Sequence, residues 1–166
     1  MKRFFIFVGV MLFASASVAS DKDLKEFIWT NKASFHKSSS KTISPVIDSL
    51  LELNSGGTEK FLLRWLNKEL WFRKSDGLVV TAKILEKKSY KIFDVIDEQL
   101  IEVIDKKKIK QIKPNSGVRA IISSALVQFQ LLNADPFIRS KTLDTIARKP
   151  EERFRVPVRK AIEIEN

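Results

Sequence analysis

Few side chains in this chain of 166 residues are equipped for chemistry. It has no cysteine, which removes disulfides, thiolate zinc sites, iron–sulfur clusters and cysteine nucleophiles. Its one histidine, His36, removes most catalytic triads and multi-histidine metal sites. The carboxylates Asp94, Asp97, Glu98, Glu102 and Asp105 crowd one region, where burying one beside another would raise a pKa and create a general acid. Lysines alternate with them and no spacing fixes a partner, so solvated charge is the plainer reading. His36 stands among Lys37, Lys41 and serines and is expected to be exposed and non-catalytic. Gly56-Gly57 has no phosphate-loop context around it and reads as a helix terminator. No enzyme, cofactor or metal site is expected.

Positive charge is more prominent. Thirty Lys plus Arg against twenty Asp plus Glu give +10, a balance that attracts anionic surfaces. Residues 83–113 hold nine lysines and six acids, densest at Lys106-Lys107-Lys108, Lys110 and Lys113. Protection of a sheet edge explains such lysines most plainly, and a phosphate-binding patch is the sharper alternative. Trp71, Phe72, Arg73 and Lys74 combine stacking with phosphate chemistry, but aromatics filling a core account for them better, so no nucleic-acid partner is expected. Arg153, Arg155, Arg159 and Lys160 make an anionic membrane surface the better anionic partner.

The elements that position these residues follow from local pattern. At 44% hydrophobic and 30% charged, with five Gly and five Pro, the composition fits one globular domain and excludes collagen, coiled coil and bulk disorder. Lys2 and Arg3 precede a ten-residue apolar run, Phe4 to Phe13, and small residues from Ala14 to Ser20, so residues 1–20 read as a secretory signal peptide cleaved after Ala19 or Ser20. Such a run is about half the length of a membrane span. The remaining 146 residues keep a charge of +8 and are expected to be exported, periplasmic or on the outer face of the inner membrane. Residues 21–42 mix Lys, Ser and scattered aromatics and read as a poorly ordered lead segment.

Residues 43–166 are expected to form one α+β domain, with HEAT-like helical hairpins flanking a small antiparallel β insert at about 69–113. Ile43, Val46, Ile47, Leu50 and Leu51 follow helical spacing, with Ser44-Pro45 as cap and first position. Thr58 is expected to cap a second helix carrying Phe61, Leu62, Trp65 and Leu66. Asp76-Gly77 between two β-rich runs predicts a tight hairpin. Tyr90 to Phe93 and Leu100 to Ile104 predict a second strand pair. Val118, Ile121, Ile122, Ala125, Phe129 and Leu132 mark a helix capped by Asn115 or Ser116. Asp135-Pro136 opens another, with Phe137, Leu143, Ile146 and Ala147 facing inward. A last helix is expected from Pro150, kinked or broken at Pro157.

The order of features is specific over residues 43 to 160. Leu70-Trp71-Phe72-Arg73-Lys74-Ser75-Asp76-Gly77-Leu78-Val79-Val80, a β insert, Asn115-Ser116-Gly117-Val118-Arg119 and a helix ending Leu132-Asn133-Ala134-Asp135-Pro136-Phe137-Ile138-Arg139 follow one another. This resembles the exported N-terminal region of the urea ABC transporter permease B subunit, of the branched-chain amino acid transporter class. The Asp-Pro-Phe-Ile-Arg run also resembles the start of a HEAT-like repeat. Where that family usually carries Asn-Asn-Arg-Leu-Arg, this chain keeps the first Asn and last Arg. The resemblance implies a non-catalytic extracytoplasmic domain placed ahead of membrane-spanning helices, with the transporter permease or its solute-binding protein as partner. The spanning half is absent from these residues, so a truncated permease or a free-standing relative is implied. Arg73, Asp76, Gly77, Asn115, Arg119, Asp135 and Arg139 match the family pattern, and hairpin and capping duties are expected of them.

Overall fold

A computed structural model of the chain describes residues 20–165. The segment read as a signal peptide lies outside the described residues as far as residue 19. Among the described residues, seven α-helices and a five-stranded antiparallel sheet make a mixed α and β fold.

Residues 21–36 of the lead segment are helical rather than poorly ordered, and residues 37–42 form the connecting turns. α1 spans Asp21–Thr30 and α2 Lys32–His36. Ser20 starts α1 with a reciprocal cap, its backbone N–H donating to the Asp23 carboxylate at 2.7 Å while its hydroxyl accepts from the Asp23 N–H at 3.4 Å. Leu24, Ile28 and Phe35 are buried, and the Phe35 ring meets Phe61 and Trp65 edge-on with centroids 5.3 and 5.2 Å away. Long-range packing of a few apolar anchors orders a segment whose composition is mostly polar.

α3 (Ser44–Glu52) and α4 (Thr58–Leu66) have the expected stripes, with Ile43, Ile47, Leu50, Phe61, Leu62 and Trp65 buried. Their starts differ. Ile43 is the cap residue of α3, so Ser44 and Pro45 lie one position further inside. Gly57 precedes α4, and Thr58 is its first residue rather than its cap. The Thr58 hydroxyl is buried without a hydrogen-bond partner among the described residues. The left-handed residue that ends α3 is Asn54, with φ 50°. Gly57 serves close approach instead, because a Cβ there would lie 2.8 Å from Leu24 Cδ2 of α1.

The sheet comprises β1 (Leu70–Arg73), β2 (Val79–Glu86), β3 (Ser89–Asp94), β4 (Leu100–Asp105) and β5 (Ile109–Gln111), in the order β4-β3-β2-β1-β5. β4 and β5 occupy opposite margins, yet only the one-turn 3-10 helix Lys106–Lys108 joins them. So short a link forces the sheet to curl. Ile104 of β4 and Ile109 of β5 accordingly share one small core with Val80, Tyr90 and Ile92 on the concave side. Leu70, Val79 and Ile112 belong instead to the main core shared with the helices.

α5 (Ser116–Leu131) is the central rod, approached by α3, α4, α6 (Pro136–Arg148) and α7 (Arg155–Glu165). It buries Val118, Ile122, Ala125, Leu126 and Leu131, each large aliphatic contributing about 1.5–3 kcal/mol. α7 begins at Arg155, after a 3-10 turn over Glu152–Phe154, rather than at Pro150. Pro157 therefore falls in its first turn, where a missing N–H costs no helical hydrogen bond.

Candidate functional site

The acidic region is a fastening between sheet and helices. Asp94 Oδ1 accepts the backbone N–H groups of Ile96 and Asp97 at 2.8 and 3.1 Å, which shapes the turn between β3 and β4. From α1, Lys25 Nζ lies 3.1 Å from Asp94 and 2.5 Å from Asp97. From α4, Arg64 holds the Val95 carbonyl and Glu98, and Lys60 also pairs with Glu98. Hydrogen bonding to Lys25 lowers the Asp97 pKa, and that to Lys60 and Arg64 lowers the Glu98 pKa. Both shifts run opposite to what a general acid needs.

A second knot joins Arg73, Asp76 and Gly77. Arg73 Nε and a terminal nitrogen donate to the two Asp76 oxygens at 3.0 and 2.6 Å, and Arg73 also pairs with Glu102 at 2.5 Å across the curled sheet. These partners, Asp76 foremost, raise the Arg73 pKa, and Arg73 lowers that of Asp76. Asp76 also accepts the Leu78 N–H at 3.1 Å. The loop is longer than a two-residue hairpin: Arg73 N–H donates to Leu78 C=O, and Gly77 N–H donates to Arg73 C=O at 2.8 Å. Within it only Gly77 has positive φ, at 76°.

His36 completes this knot and is half-buried rather than exposed. Its ring stacks on Phe72 with centroids 4.0 Å apart and lies against Gly77. Burial first, then the charges of Lys32 and Lys37, pull its pKa below the usual value. Nε2 is buried without a partner among the described residues.

The other family-matched residues lie elsewhere. Asn115 Oδ1 accepts the Val118 N–H at 2.9 Å and caps α5. Asp135 Oδ1 accepts the Phe137 N–H at 2.9 Å and caps α6. Arg139 donates to the carbonyls of Asn133 and Ala134 at 2.8 and 3.0 Å, clamping the turn between α5 and α6. Arg119 is exposed on α5. Six of the seven positions form a hairpin knot, two caps and a clamp, Arg119 stands apart on α5, and they are not gathered into one site.

Two surfaces remain with features that packing does not explain. On α6 the expected inward stripe is turned out: Phe137 is 72% and Leu143 45% exposed, while Thr142 is the buried residue. Helical period locates a stripe but not the neighbour it faces, and α5 meets the other side of α6. Phe154, Val158 and Ile162 recur every four residues and, with Ile146 and Pro150, line an open groove of about 550 Å³ bordered by Arg155 and Arg159. Val156 at 74% and Ile164 at 65% exposure lie on the side of α7 turned away from this groove.

The second surface is a cleft of about 710 Å³ along β5, lined by Trp71, Tyr90, Lys37, Lys106, Lys110 and Lys113, among others. The lysine run and the stacking aromatics Trp71 and Phe72 were visible in the sequence, set aside there as edge charge and core, whereas Lys37 and Tyr90 were not signalled. Comparison with protein-family models, curated proteins and solved structures finds no match to this chain.

Proposed function

We propose that this chain is a non-catalytic, extracytoplasmic contact domain that holds a protein partner through α6 and α7, accessory to an ABC uptake permease of the urea or amide type. The observation that carries the contact role is the apolar groove formed by Ile146, Phe154, Val158 and Ile162. Contiguous exposed apolar surface costs solubility and is retained where something covers it. Helical pairs that stack into repeats leave such a face at an open end, so the groove also fits the HEAT-like organisation proposed for α5 to α7.

The transporter part rests on the resemblance over residues 43 to 160, and export rests on the Lys2-Arg3 and Phe4 to Phe13 pattern. Among the described residues no helix is long and apolar enough to cross a membrane. On this reading the domain acts beside a transport path. The permease's outer face and its solute-binding protein are the two surfaces such a domain meets.

Titration of the purified chain against the solute-binding protein and the detergent-solubilised permease of the same organism tests this. Saturable binding to one of them is expected, weakened about thirtyfold in Val158→Asp/Ile162→Asp, as for loss of an interface anchor. Binding to neither protein, or binding that ignores both substitutions, refutes the proposal.

A further inference from the structure

The cleft along β5 gathers four lysines and no carboxylate in its lining. Five acids of the sheet and its loops are paired, Asp94 and Asp97 with Lys25, Glu98 with Lys60 and Arg64, and Asp76 and Glu102 with Arg73, while Asp105 beside Lys106 caps the 3-10 turn. Among the described residues, Lys37, Lys106, Lys110 and Lys113 have no carboxylate partner. They nevertheless line one cleft. Like charges brought together in a concavity repel and raise the local potential, and an anion entering there relieves the repulsion.

Edge protection accounts for only part of this. Lys110 lies on the edge strand β5, where a lysine blocks pairing with another chain. Lys37 follows α2, Lys106 lies in the 3-10 turn, and Lys113 lies beyond β5. A protected edge does not need lysines supplied from three further places in the chain. Nor does it need the cleft's aromatic wall, where Trp71 and Tyr90 sit 5.4 Å apart at 47°. The half-buried Trp71, backed by the buried Tyr90, offers an apolar edge to the body of a ligand while ammonium groups meet its charge.

We propose that this cleft is a binding site for a phosphate-bearing ligand with two or more negative charges. Lysine suits that role because its compact ammonium approaches a phosphate oxygen from many directions, whereas a planar carboxylate is more often matched by arginine. The site is separate from the α6–α7 groove and does not depend on it. Free polyphosphate and the phosphate of a lipid headgroup share this chemistry.

The probes are inorganic tripolyphosphate, followed by calorimetry, and phosphatidylcholine vesicles with and without phosphatidic acid, followed by sedimentation. Tripolyphosphate is expected to bind, with affinity falling steeply as salt is added. Lys106→Glu/Lys110→Glu should weaken it about tenfold or more. Lys141→Glu/Arg148→Glu, an equal change in net charge placed on α6, should alter it by less than about twofold. Lys37→Gln/Lys113→Gln provides a second pair of cleft substitutions should the first unfold, and is expected to weaken binding several-fold. Vesicle binding that needs phosphatidic acid and is lost in the cleft variants identifies a headgroup as the source. Cleft-dependent binding of tripolyphosphate alone identifies a soluble anion. No binding of either probe, or equal loss in the α6 control, overturns the proposal.

Discussion

Replacing Gly77 with alanine probes the contact between the β1–β2 loop and α2. Gly77 has φ 76°, a left-handed conformation that costs a residue with a Cβ about 1–2 kcal/mol. The added Cβ would also stand 3.0 Å from His36 Cε1, tighter than ordinary contact, with Lys32 Cδ at 3.5 Å on the same side. Relief requires the imidazole to slide off Phe72, and an aromatic pair of this kind is worth about 0.5–1.5 kcal/mol. The total is about 2–3 kcal/mol, which lowers the midpoint of thermal unfolding by about 5–10 °C in a domain of this size. Urea unfolding followed by tryptophan fluorescence measures it in the wild-type and His36→Ala backgrounds. With the ring removed only the backbone cost should persist, so the two substitutions should be coupled by about 1 kcal/mol. A Gly77→Ala penalty below about 0.5 kcal/mol, or one identical in both backgrounds, would refute the reasoning.

Further outcomes follow from single groups. Thr58→Val should raise stability by about 1 kcal/mol in urea unfolding, because it removes a buried hydroxyl that lacks a partner among the described residues. Asn115→Ala should lower it by about 1 kcal/mol through loss of the α5 cap, with Asn115→Asp close to wild type in the same assay. His36 has a folded-state pKa below its ordinary 6.5, so the unfolded chain takes up its proton first as pH falls. Its share of stability is therefore complete above pH 6.5 and declines as the medium is acidified below that value. One proton limits the slope to about 1.4 kcal/mol per pH unit, and chemical denaturation between about pH 5 and 7 should show that slope flattened in His36→Phe.

Local chemistry was the part legible in the sequence. The caps at Asn115 and Asp135, the Gly77 turn and the α5 stripe each depend on residues within a few positions of one another. The order of α1 and α2 depends instead on Phe35 reaching Phe61 and Trp65, a meeting no local period announces. β5 was hidden among lysines because three residues carry too little pattern, and its partner β1 lies three intervening strands back along the chain. The outward turn of Phe137 and Leu143 was hidden for a related reason: amphipathicity reports a face, while the neighbours decide whether that face meets protein or water. Of the candidate sites, the lysine run was visible and its convergence with Lys37, Trp71 and Tyr90 was not. The Asp94 to Glu98 cluster was visible as charge, but its docking onto α1 and α4 required the fold.

The three-residue bridge from β4 to β5 sets more than curvature. Asp105 accepts the Lys107 N–H at 2.7 Å, so the bridge has a fixed start as well as a fixed length. Side chains alternate along a strand, and a bridge one residue shorter or longer would turn β5 over. Ile109 would then exchange places with Lys110, carrying an ammonium into the concave core and an isoleucine into the cleft. The spacing of Lys106 to Lys108 thus acts as a molecular ruler that decides which amino groups remain free to meet an anion, and tolerance to insertion should be lowest at those three positions.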